Sequence, residues 1–258
     1  MRSLAKTFER WKMLRILRRN RIPLSVWHKM TRQIPVLRGL DAVELAHLRE
    51  LSSWFLHHKS INGVQGLHVT LPMRIVVAAQ ACLLILKLDV DYFDNWVEVI
   101  LYPGAFRVNH EQQQENGLVS NEASNLSGEA WLSGPVILSW DDIRKDTFNA
   151  QPGHNVIVHE FAHKLDGRNG MANGLPPLRP GMSRQTWARE FNTTYEALRK
   201  QLENGQAGFI NAYAATNPAE FFAVASEYFF TAPDELKKCC PGVHKQLALF
   251  YQQGALHY

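Results

Sequence analysis

Cysteine is scarce in this chain: Cys82, Cys239 and Cys240 are three among 258 residues, and two of them are neighbours. Such a set builds neither a disulfide framework nor the paired spacing of a zinc knuckle, so a reducing, cytoplasmic setting is expected. Long apolar runs are missing too. The nearest to a membrane span, Leu71 to Leu88, carries Arg74, Gln80 and Lys87 and falls short of about 18 uninterrupted apolar residues. It reads as a buried helix. Repeats and low-complexity tracts are absent, and 16 Gly and 12 Pro are ordinary usage, which excludes fibrous and disordered classes.

Acidic residues are nearly missing from positions 1–33, where Glu9 alone stands against ten Lys and Arg. The rest of the chain holds 18 basic and 23 acidic residues. The expected division is therefore a basic amphipathic segment over 1–33 and a single domain over 34–258. Leu4, Phe8, Trp11, Leu14 and Leu17 recur at helical spacing, which suits packing on the chain's own body, an acidic partner or a membrane surface. Arg15, Arg18 and Arg19 interrupt any apolar core, so no secretory signal is expected. Charge without a base-contacting motif argues against direct nucleic-acid binding.

What is present, 46% hydrophobic residues, suffices for a sizeable core. Periodicity predicts helices from Asp41 to His58, after Pro72, over Val156–Asp166, from Trp187 to Leu202, over 218–230, and from Leu236 to Tyr251 with a break near Pro241. Trp96–Tyr102 and Pro135–Trp140 read as strands, His110–Asn125 as a polar loop, and Gly167–Gly181 as a long connection. The fold class expected is α+β, mainly helical, with a small sheet.

The decisive segment is Val156-Ile157-Val158-His159-Glu160-Phe161-Ala162-His163-Lys164-Leu165-Asp166. On a helix, His159, His163 and Asp166 share a face opposite Ile157, Phe161 and Leu165. Imidazoles one turn apart can both reach one zinc ion, and Glu160, beside rather than on the metal, is placed as a base. With 11 His and 15 Glu in the chain, chance yields such a string roughly 0.03 times. The metzincin extension is absent, since Asp166 and Asn169 stand where Gly and His are required. A third ligand must come from elsewhere. Glu220 qualifies, following Asn217 as helix cap and Pro218 at the first helical position, although it could instead reach back in a capping box. Glu227, seven residues on, faces nearly the same way about 10.5 Å further along the axis, so only one of the two can bind directly. Flanking Phe221 and Phe222 favour Glu220, leaving Glu227 as the fallback ligand or as a hydrogen-bond acceptor behind a ligand. Asp166 is a candidate acceptor for the spare ring N–H of a ligand histidine, or simply the helix-end residue before Gly167. Tyr213 can lie near the metal and donate to an oxyanion. His154 reads as exposed or capping.

The string from His159 to Asp166, the segment Asn211 to Glu220 with Tyr213-Ala214-Ala215, Ser226-Glu227-Tyr228-Phe229-Phe230, Ile100-Leu101-Tyr102-Pro103 and Gly134 to Trp140 together resemble the Mlc titration factor A family of zinc peptidases. The likeness covers about residues 40–253, and the Tyr213-to-Glu220 segment also resembles the catalytic domain of anthrax lethal factor. The resemblance implies a zincin-like metallopeptidase of the gluzincin type, with one zinc ion on His159, His163 and Glu220. Glu160 would activate water and Tyr213 would assist at the oxyanion. It further implies aminopeptidase-like activity on peptide substrates in the cytoplasm, and binding of the repressor Mlc, which affects the glucose phosphotransferase system. The competing expectation is a non-catalytic protein that sequesters a transcription regulator.

Overall fold

The computed structural model describes residues 21–104 and 134–254. Its helices are α1 (Leu24–Thr31), α2 (Ala42–His58), α3 (Leu71–Leu84), α4 (Trp140–Phe148), α5 (Val156–Asp166), α6 (Arg184–Glu203), α7 (Pro218–Thr231), α8 (Pro233–Cys239) and α9 (Pro241–Tyr251). Strands β1 (Ser60–Gly63), β2 (Glu98–Tyr102) and β3 (Val136–Ser139) pair in parallel in that order. The fold is α+β and mainly helical, with the small sheet beside α5.

In the sheet, Val99 pairs with Ile61 on one side and Val136 on the other. All three are buried, which fixes the register, since a slip of one residue would turn them outward. β1 escapes a sequence reading because Ser60-Ile61-Asn62-Gly63 offers one apolar side chain, and its strand state comes from pairing with β2. The β1-to-β2 link carries α3 as the crossover that parallel strands require. The run expected as a strand to Trp140 ends one residue sooner. Ser139 accepts the N–H of Asp142 at 3.2 Å and thereby caps α4, whose first residue is Trp140.

Residues 1–20, with Leu4 to Leu17, lie outside the described residues, as does His110–Asn125. Residues 21–33 belong to the body: Ile22 and Trp27 are in the core, and Arg49 donates to the Ile22 carbonyl. Two aromatic groups hold the helices that matter most. Phe161 of α5 packs on Phe55, Phe93 and Trp96 at ring separations of 5.8, 5.3 and 5.5 Å. Trp187 stacks on Phe191 at 4.2 Å, and Phe191 meets Phe221 of α7 edge-on at 5.8 Å. Among the described residues no helix is long and apolar enough to cross a membrane.

Candidate metal centre

Helix α5 is set by its own sequence. Asn155 accepts the Val158 N–H at 3.0 Å as N-cap, Asp146 accepts the Val156 N–H at 2.9 Å, and Ile157, Val158, Phe161, Ala162 and Leu165 are buried. The cap is Asn155, and the neighbouring His154 is half-buried with its backbone turned to Gln151. The remaining face presents His159 and His163 to the first turn of α7. There Asn217 accepts the Glu220 N–H at 3.0 Å and Pro218 fills the first helical position. Glu220 does not close a capping box; its carboxylate points to the histidines.

Glu220 Oε2 lies 3.0 Å from His159 Nε2 and 3.3 Å from His163 Nε2, and the two imidazole nitrogens are 3.2 Å apart. Donors about 2.0–2.1 Å from a tetrahedral ion stand about 3.3 Å from one another, so the spacing fits one ion. Two imidazoles and a carboxylate, with ligating atoms all within 4.8 Å, form a group that can hold a metal ion. Glu227 occupies the other side of His159, with Oε1 2.7 Å from Nδ1, while its Oε2 accepts the Asn155 N–H at 2.6 Å. Both carboxylate oxygens are thus engaged away from the cluster.

Burial opposes a charge on His159, but hydrogen bonding to Glu220 and Glu227 outweighs it and raises the imidazole to about 10. Burial likewise opposes ionisation of Glu220, yet the two histidines hold its carboxyl well below the usual range. The protein groups by themselves favour an imidazolium beside a carboxylate.

Tyr213 lies on a short turn, Ala212–Ala215, fixed by Asn211, which accepts its N–H at 3.0 Å. Its ring is 5.9 Å from that of His159 and is 47% exposed. Burial and the charges of Glu220 and Glu160 push its hydroxyl up to about 12, so it keeps its proton at neutral pH. The charge of Glu160 also acts on His159 and Lys164, and Lys164 donates to the Gly134 carbonyl at 2.8 Å at the mouth of β3.

The expectation for Asp166 is corrected. The spare ring nitrogen of His159 meets Glu227, whereas Asp166 is fully buried and accepts the Gly174 N–H at 2.7 Å. Asp166 therefore holds the loop after α5. That loop also touches the base of Glu220: Gly174 has φ +77, and a Cβ there would come 2.5 Å from the Pro218 carbonyl oxygen. Sequence reasoning missed Asn155 as the residue that both caps α5 and holds Glu227. The available signal was an Asn directly before an apolar helix.

A helix with two histidines one turn apart around a glutamate, faced by a carboxylate from a second helix, is the arrangement of metallopeptidase centres. The profile of the family described as glucose-regulated metallo-peptidase M90 matches residues 8–252, and the chain belongs to that family. Mlc titration factor A of Klebsiella pneumoniae (strain 342) is 39% identical over 225 residues, covering 86% of this chain and 84% of that protein. The proteins of the same name from Enterobacter sp. (strain 638) and Serratia proteamaculans (strain 568) are 40% and 38% identical over 228 and 226 residues. Those matches cover 86% of this chain in both cases, and 84% and 85% of the relatives.

Proposed function

We propose that this protein is a zinc-dependent, aminopeptidase-like hydrolase of peptide bonds acting in the cytoplasm. The reading rests above all on His159, His163 and Glu220 offering donors at the mutual spacing of a single tetrahedral ion. When bound, zinc would supply Lewis acidity to the attacking water and the scissile carbonyl. Glu160, adjacent to His159 but outside the donor set, takes the proton of the water and passes it to the leaving amine. Tyr213, protonated and beside the cluster, donates its hydroxyl to the oxyanion. Glu227 accepts the Nδ1 proton of His159, which leaves Nε2 with a lone pair toward the ion. An extended peptide laid along β3, an edge strand among the described residues and beside α5, would gain main-chain hydrogen bonds.

The relatives' name supports a link to Mlc; with the family resemblance we infer that the link is binding of that repressor and through it an influence on the glucose phosphotransferase system. The name also supports the second reading, a non-catalytic protein that sequesters a transcription regulator. One variant separates the two. Glu160→Gln should retain one zinc per chain by elemental analysis while hydrolysis of aminoacyl and peptide substrates falls by at least about a hundredfold. Undiminished hydrolysis removes Glu160 from the mechanism. If the intact wild type hydrolyses nothing while repressor binding is retained by the variant, the sequestering reading stands instead.

A further inference from the structure

A cavity of about 270 Å³ opens at the N-terminal end of α5, away from the donor cluster, and none of His159, Glu160, His163 or Glu220 lines it. The charged residues in its wall are Arg38 and Asp146. They have opposite sign and do not pair. The Arg38 guanidinium has no partner among the described residues, and Asp146 commits only Oδ2, to the Val156 N–H at 2.9 Å. Four neutral polar residues of the same wall, Gln80, Thr147, Asn155 and Thr231, are already hydrogen-bonded, and Gln151 is exposed. Gln80 donates to Thr147 at 3.0 Å and accepts from Asn155 at 2.8 Å, and Thr231 accepts from Gly153 at 2.9 Å while donating to Glu227.

The wall thus sets one positive and one negative charge, unpaired with each other, on a common space. A pure anion would face Asp146 and a pure cation Arg38, whereas a zwitterion meets both. Ile34, Pro35 and Val36 add an apolar side. The volume lies just under the roughly 300–1,000 Å³ of pockets for drug-sized ligands, which suits one small molecule rather than a chain segment. Burial raises the Asp146 carboxyl above its ordinary value, helped by the charges of Glu227 and Asp142 and opposed by the Val156 N–H and the charge of His154.

We propose that this cavity binds a free α-amino acid with an aliphatic side chain, its ammonium on Asp146, its carboxylate on Arg38 and its side chain against Ile34, Pro35 and Val36. Binding there does not require that the chain hydrolyse peptides, and it is read without any substrate turnover. The full chain, loaded with zinc, is titrated calorimetrically with L-leucine, with isoamylamine, which lacks the carboxylate, and with 4-methylpentanoate, which lacks the ammonium. L-leucine should bind, and each analogue should bind at least about tenfold more weakly, the value of one charge-assisted hydrogen bond. Asp146→Asn and Arg38→Gln should each weaken L-leucine by a similar factor. Asparagine still offers an oxygen to the Val156 N–H, and Arg38 is exposed, so circular dichroism should show both variants folded. If Asp146→Asn does not fold, Arg38→Gln decides alone. No heat from L-leucine at millimolar concentration overturns the proposal. So does affinity that Arg38→Gln leaves unchanged, since L-leucine would then be bound elsewhere, for instance at the metal cleft.

Discussion

Glu227 stands outside the donor triad, yet it holds the imidazole of His159 from behind. One oxygen fixes the imidazole Nδ1 and the other is held by the Asn155 N–H, so the carboxylate is oriented before it orients. Removing such an acceptor from behind a metal ligand costs about 10–100-fold in metal affinity. Glu227→Ala should show that loss in competition with a calibrated chelator, and Glu227→Gln a smaller one. Equal affinity in both and in wild type would mean that Glu227 serves only the fold. The charge state of His159 supplies a second expectation. Its pKa is raised to about 10, so at neutral pH the imidazole carries a proton that a metal ion must displace. Raising the pH toward that value removes the competitor, and metal affinity should climb about tenfold per pH unit between pH 6.5 and 8.5. A flat profile would show that His159 is already neutral.

At the scale of elements, the loop after α5 joins the two helices that carry the donors. Gly174 donates to Asp166 at the end of α5 and lies against the Pro218 carbonyl at the start of α7. Gly174→Ala meets two penalties together, a side chain at positive φ and a clash with backbone. It should cost about 1–3 kcal/mol in urea denaturation and also weaken metal binding. Loss of stability with unchanged metal affinity would uncouple the loop from the site. The same elements show what can be read from a sequence. The span of helix α5 was legible because its apolar stripe and histidine spacing are local, although its cap, Asn155, was passed over. Phe221 and Phe222 already favoured Glu220 over Glu227, but the meeting of the first turn of α7 with His159 and His163 depends on packing between segments 57 or more residues apart. The role of Asp166 stayed open because its partner, the Gly174 N–H, is reached only by a loop whose path the sequence does not specify. Gln80 registered only as an interruption of an apolar run, though it joins α3 to α4 and to the cap of α5.

For the whole molecule, an ion shared by α5 and α7 would act as a crosslink between the helices that the two aromatic groups support. A ligand present at a thousand times its Kd adds about 4 kcal/mol to the folded state. For a chain of this size that corresponds to about 10 °C in Tm. Thermal melts with and without chelator should differ by that order, and Glu220→Ala should abolish most of the difference. A chelator-insensitive Tm would argue that no ion bridges these helices.

The peptide groups of Gly174 are claimed from both sides: Asp166 takes its N–H, and the Trp187 indole donates to its carbonyl at 2.9 Å. A loop amide so enclosed should exchange with deuterium at the pace of the interior rather than of its neighbours. That one position would then report, without any probe attached, whether the two halves of the centre are still seated together.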